Sequence, residues 1–237
     1  MNTPGFLISA PASDTGKTTV TRGPLAAFRA AGLTVQPFKS GPDYIDPAFH
    51  AAAAGRPSVN LDSWAMDRTR LHAQTQSAPP ADLVIAEGSM GLFDGVAHPG
   101  ETGNGASADM SALMGWPVVL VLDVSGQAQS AAAVAMGFAR FRPDVTVAGV
   151  ILNKVASPRH EALIRAGMTA AGLRVLGALP RQTTVSLPER HLGLVQAAEL
   201  PRLHSILDEL GRFIASHCDL DALRALAAHH PQTPATS

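Results

Sequence analysis

The chain has 237 residues, 46% of them hydrophobic, with Lys+Arg 18 against Asp+Glu 19 and a formal net charge of −1. That length buries a full core and favours one large domain or one and a half, while the balanced charge excludes a global positive field able to hold nucleic acid or an anionic membrane by counterion release. A single cysteine, Cys218, excludes an internal disulfide framework and a cysteine-rich zinc site and fits a reducing, cytoplasmic compartment.

Along the chain, the first apolar stretch covers only residues 5–11, too short for a signal peptide or a membrane span, and no later run approaches spanning length. Residues 5–9 read as a strand. They lead into Ala10-Pro-Ala-Ser-Asp-Thr-Gly-Lys-Thr-Thr19 and then a helical pattern over 20–31. Strand, loop and helix stand in the order of a P-loop, whose backbone N–H groups and helix N-terminus cradle phosphates. Ser13, Asp14, Thr15, Gly16 and Thr19 are the expected nucleotide contacts. Gly16 permits close approach, Lys17 reaches the β and γ oxygens, and the Thr18 hydroxyl is an expected Mg²⁺ ligand. The usual first glycine of the pattern, five residues before Gly16, is replaced by Pro11.

A second strand is expected over 33–38, followed by Lys39 and a segment to residue 62 rich in Gly, Pro, Asp and Ala. The apolar run 83–86 ends at Glu87, a carboxylate facing the phosphate loop and so the expected magnesium ligand. Asp123, after the run 118–122, competes for that role, its alternative being the cap of a helix beginning near Ser125. Residues 88–108 hold six glycines and, like 39–62, read as a long functional loop with short helices. Runs at 147–152 and 175–179 complete six strands alternating with helices, several of them apolar without strict alternation. This pattern predicts an α/β fold: a doubly wound, mostly parallel sheet with helices on both faces, whose ligands sit beyond the carboxyl ends of the strands. Asn153 follows the fifth of these runs. Residues 197–228 read as one or two amphipathic helices, with Cys218 inside a helical pattern as a buried packing residue, and 229–237 as a linker. Apart from His191, the histidines have no convergent partner at metal-ligand spacing and read as surface residues.

Phe38-Lys-Ser-Gly-Pro-Asp-Tyr-Ile-Asp-Pro47, Glu87-Gly-Ser-Met-Gly-Leu-Phe-Asp-Gly95 and Leu187-Pro-Glu-Arg-His-Leu-Gly-Leu194, together with the phosphate loop, resemble the signature segments of cobyrinic or hydrogenobyrinic acid a,c-diamide synthases. The wider fold resembles dethiobiotin synthetase. The resemblance implies ATP and Mg²⁺ as cofactors and a corrin tetrapyrrole polycarboxylate as substrate. A side-chain carboxylate takes the γ-phosphoryl group and ammonia then displaces phosphate to leave the amide. It also implies roles. Lys39 is the expected second cation between γ-phosphate and carboxylate, and Asp43 and Asp46 are expected catalytic groups, with metal coordination, steering of ammonia and hydrogen bonding to corrin amides all open. Tyr44, Asp46, Ser89 and Met90 are expected substrate contacts, and Asn153 resembles an asparagine that reads adenine. Arg190 and His191 match the third segment without an assigned chemistry.

The expected organisation is a synthetase domain over 1–196, C-terminal helices over 197–228 packed on it, and a linker-like tail over 229–237 leading to a glutamine amidotransferase domain, the family's ammonia source, that this sequence lacks. Pairing into a homodimer is expected by fold analogy only. Two rivals remain: a relative amidating nickel sirohydrochlorin or other corrin side chains, and a partner-switching ATPase of the same fold. The latter usually carries an extra lysine early in the loop, and residues 10–15 contain none.

Overall fold

The computed structural model describes residues 3–181 and 202–228. Seven strands form one sheet in the order β3-β2-β4-β1-β5-β6-β7, and every strand pair is parallel. They are β1 (Gly5–Ser9), β2 (Val35–Ser40), β3 (Val59–Leu61), β4 (Leu83–Glu87), β5 (Val118–Asp123), β6 (Val147–Val155) and β7 (Val175–Pro180). All residues of β1, β2 and β4 are buried, as strands covered on both faces require.

Side chains alternate between two cores. Phe6, Ile8, Val119 and Val121 point into one, with helices α1 (Lys17–Ala30), α2 (Asp46–Ala54), α7 (Leu203–His217) and α8 (Leu220–Ala228). Leu7, Val84, Leu120 and Leu122 point into the other, with α3 (Arg68–Ser77), α4 (Ser107–Met114), α5 (Ser130–Phe141) and α6 (Pro158–Ala170). Local chemistry sets the helix ends. Asp67 caps α3 and Ser157 caps α6, while Gly55 and Gly115 take the left-handed conformation that closes α2 and α4. On α1, a Cβ at Gly23 would stand 2.1 Å from Ile214 Cγ1, so the missing side chain sets how closely α7 lies on α1.

Strands β2 to β4 lie on one side of β1 and β5 to β7 on the other. Loops leaving the carboxyl ends of β1, β2 and β4 therefore surround one crevice. Four details differ from the sequence expectation. Residues 39–62 hold an edge strand, β3, whose Val59 and Asn60 are only partly buried and leave no apolar run to read. Strand β2 continues through Lys39 and Ser40, whose polar side chains sit where the sheet meets the crevice. Helix α5 starts at Ser130, and Asp123 instead accepts a hydrogen bond from Ser125 N in the preceding turn. Cys218 is not inside a helix: it caps α7 in an extended conformation and bridges to Gly177 on β7, buried as expected. Among the described residues no helix is long and apolar enough to cross a membrane. The segment 187–194 with Arg190 and His191, and the tail 229–237, lie outside the described residues.

Candidate functional site

The loop between β1 and α1 ends at Gly16, with φ 89°. A Cβ there would meet Asn153 Nδ2 at 2.2 Å. Only glycine suits both conditions. Asn153 Nδ2 donates to the Thr15 carbonyl at 2.8 Å while its Oδ1 accepts from Lys154 N, so β6 braces the loop from below. Asp14, at φ 61°, is one of the residue types that tolerate the left-handed region. Position 11 has no positive φ, which is why proline fits where the pattern has glycine, and Leu92 N ties the loop's start to the segment after β4 by donating to Ala10 O. Ser13 and Asp14 are exposed, Thr15 and Thr19 partly buried. No side chain caps α1 and no acid lies in its first turn. Its N–H groups and dipole are therefore left for an anion.

Glu87 is the hub. The β2–β4 register sets Lys39 opposite Glu87. Glu87 Oε1 accepts from Thr18 Oγ1 at 2.8 Å and from Lys39 Nζ at 3.0 Å, and Oε2 meets His50 Nε2 at 2.6 Å. Lys39 Nζ also donates to Asp46 Oδ2 at 2.8 Å and stands 3.6 Å from Asp43, while Arg22 pairs with Asp46 at 3.0 Å and covers the Phe49 ring. Glu87, Lys39, Asp46, His50 and Arg22 are all buried. Burial alone would raise the Glu87 pKa, yet Lys39 and His50 outweigh it and hold the carboxyl well below its ordinary 4.5. Burial likewise opposes the charge on Lys39, but Glu87 and Asp46 prevail and raise it. For Arg22 burial prevails over Asp46 and lowers it. Lys17 Nζ donates to Met90 O at 2.7 Å, and Met90 itself is held at φ 47°.

Each expected residue thus has a place. Thr18, Lys39 and Glu87 are in contact and Lys17 reaches the segment after β4, whereas Asp123 pairs with Lys154 of β6 at 2.7 Å. Asp43 Oδ1 accepts from Ile45 N and Asp46 N, folding the turn that starts α2. Ser89 Oγ donates to Ser40 O and Ser89 N donates to Ser107 Oγ, fixing the segment after β4. Tyr44 is 95% exposed and Met90 58%, with Trp64 and Val96 also exposed on the loops after β3 and β4. His50 corrects the surface reading of the histidines: it is fully buried against Glu87. Arg22 also escaped notice. A spacing signal existed for His50, since Asp46 lies one helical turn earlier on α2.

Residues 6–195 match the family described as the CobQ/CobB/MinD/ParA nucleotide binding domain. The chain belongs to this family. Among curated relatives, hydrogenobyrinate a,c-diamide synthase of Rhodobacter capsulatus is 63% identical over 227 residues, covering 96% of this chain and 52% of that protein. The enzyme of the same name from Mesorhizobium japonicum is 52% identical over 237 residues, covering 99% of this chain and 53% of that protein. The chain spans about half the length of the curated relatives it matches. A chain of the MinC:MinD cell division protein complex of Aquifex aeolicus superposes with a TM-score of 0.54 at 11% identity, covering 99% of this chain and all of that one, a likeness of fold alone.

For a nucleotide binding domain of this family the oxygen pair at Thr18 and Glu87 matters most. Neighbouring ligands on an octahedral cation at the Mg²⁺ distance stand about 2.9 Å apart. Thr18 Oγ1 and Glu87 Oε1 stand 2.8 Å apart in a hydrogen bond, and both are hard oxygen donors of the kind Mg²⁺ takes.

Proposed function

We propose that this chain is the ATP-consuming part of a hydrogenobyrinate a,c-diamide synthase, converting the a and c side-chain carboxylates of the macrocycle to amides. The observation that carries the reading is the convergence of Lys17, Thr18, Lys39 and Glu87 above one rim of the sheet, within a chain so similar to enzymes of that name.

A carboxylate is a poor electrophile, so the reaction begins with its oxygen attacking the γ-phosphorus of ATP, with ADP leaving. Ammonia then attacks the acyl carbon, and inorganic phosphate leaves with the carboxylate's oxygen. The first step needs an in-line approach and neutralised phosphoryl charge. The α1 N-terminus and loop N–H groups hold the phosphates, and Lys17 exchanges its bond to Met90 O for the β and γ oxygens. Thr18 and Glu87 would hold a Mg²⁺ ion, which would supply further neutralisation of the phosphoryl charge. Lys39 acts from the floor of the crevice, tethered by Asp46. Asn153 spends one amide hydrogen on Thr15 and has a second for an adenine acceptor. Tyr44 and Met90, exposed on the loops after β2 and β4, are the apolar side chains offered to the face of the macrocycle, with Trp64 and Val96 exposed on the loops after β3 and β4 as further candidates and Ser89 fixing the segment that carries Met90. Asp43 shapes the turn presenting Tyr44, and Asp46 sets Lys39. Ammonia comes, in this reading, from a glutamine amidotransferase unit.

The test is mass analysis of hydrogenobyrinate and, separately, cobyrinate after incubation with the chain, ATP, Mg²⁺ and ammonium. Diamide is expected, with Lys17→Ala lowering turnover by about 10²–10³. ADP release that ignores both tetrapyrroles and responds to a protein partner would contradict the reading.

A further inference from the structure

We propose that His50 is the positioning residue that makes Glu87 a one-oxygen ligand and thereby tunes the site to small divalent cations. The inference rests on the reading of Glu87 as the metal carboxylate.

Helix α2 is short and largely alanine, and its first turn is folded by Asp43. Asp46 and His50 lie one turn apart on its buried face. Asp46 engages Lys39 and Arg22, and His50 engages Glu87 Oε2 at 2.6 Å. The two oxygens of Glu87 are thereby divided: Oε1 accepts from Thr18 on the phosphate-loop side and from Lys39 on β2, and Oε2 meets His50 on α2. An ionised carboxylate only accepts, so the proton lies on His50 Nε2.

His50 Nδ1 is buried and has no hydrogen-bond partner among the described residues. An unpartnered buried polar atom disfavours folding, and a leucine would fill the same space without it. The imidazole therefore has its return at Glu87. Mg²⁺ and Mn²⁺ take an octahedral shell with single-oxygen carboxylates, whereas Ca²⁺ accepts larger shells and two-oxygen contacts. With Oε2 held by His50, the carboxylate can neither rotate nor grip a cation with both oxygens. Hydrogen-bond partners of metal ligands commonly set affinity in this way.

The experiment titrates the full chain with Mn²⁺ and with Ca²⁺ in the presence of ADP, comparing wild type, His50→Leu, His50→Gln and Glu87→Gln. ADP affinity in chelator serves as the control for folding. His50→Leu is expected to weaken Mn²⁺ by about 10–100-fold and Ca²⁺ much less, narrowing the preference between them, while His50→Gln, whose amide N–H reaches the same oxygen, restores most of both. Wild-type Mn²⁺ affinity and preference in His50→Leu would overturn the proposal. If Glu87→Gln also binds Mn²⁺ normally, the metal reading of Glu87 fails with it; if Glu87→Gln alone loses Mn²⁺, only the role of His50 falls. Should His50→Leu not fold, His50→Asn, too short to reach Oε2, takes its place, and failure of both to fold would make His50 a packing residue and end the proposal.

Discussion

Gly16 combines a left-handed backbone with contact against Asn153, so the two effects of a side chain there can be separated. Gly16→Ala should abolish measurable nucleotide binding, and in an Asn153→Ala background, whose own loss of the proposed adenine contact and of the Thr15 contact sets the reference, it should still weaken binding, because the steric conflict is gone while the φ cost of about 1–3 kcal/mol remains. A double variant that binds ADP as tightly as Asn153→Ala alone, read by calorimetric titration, would show that the contact alone matters. A second prediction concerns Glu87 and Asp43. Their folded pKa values lie below the ordinary 4.5 and 3.8, so their stabilisation is complete above those values and is lost as pH falls through the depressed ones. Melting temperature should be level from about pH 8 to pH 5 and fall below about pH 4, with a shallower acid limb in Glu87→Gln. At this scale the phosphate loop and the Lys39 and Glu87 positions could be read from residue type after a strand. Arg22 could not, because an arginine in a helix gives no sign of burial until α2 brings Asp46 to it, and for His50 the one sign was its place a helical turn after Asp46, with nothing in the sequence to show that Glu87 on β4 would meet it.

Helix α1 connects phosphate loop and core. Its Gly23, with Ala26 against Gly211, allows close packing of α7. Gly23→Val gains only about 0.3 kcal/mol of helix propensity and drives a branched side chain into Ile214, so overpacking should prevail, cost about 1–3 kcal/mol and lower the melting temperature by several degrees. An unchanged melting curve would mean that α7 can shift outward without loss. The elements easiest to foresee were the apolar interior strands, since burial on both faces leaves a continuous run of Val, Ile and Leu. Strand β3 was hidden for the opposite reason: an edge strand of three residues with Asn60 at its centre has neither length nor alternation. Its effect is nonetheless direct, because Leu61 O accepts from Gly41 N and Asn60 Nδ2 donates to Asp43 O, and both bonds shape the turn that leads into α2.

Among the described residues one parallel sheet lies between two apolar layers, and the residues proposed for the chemistry gather at its carboxyl rim. The chain's single thiol lies elsewhere, at the β7–α7 junction, where burial pushes it up to about 12. It should resist alkylation at neutral pH until the protein unfolds, and the chain alone should amidate with ammonium but not with glutamine. Glutamine-dependent amide formation by the purified chain, followed chromatographically, would contradict that. The central claim is that a substrate carboxylate attacks the γ-phosphorus above Lys17, Thr18, Lys39 and Glu87. Hydrogenobyrinate carrying heavy oxygen in its carboxylates tests it most directly: mass analysis of the released inorganic phosphate should find one heavy oxygen for every amide formed, and amide produced with unlabelled phosphate would contradict the account.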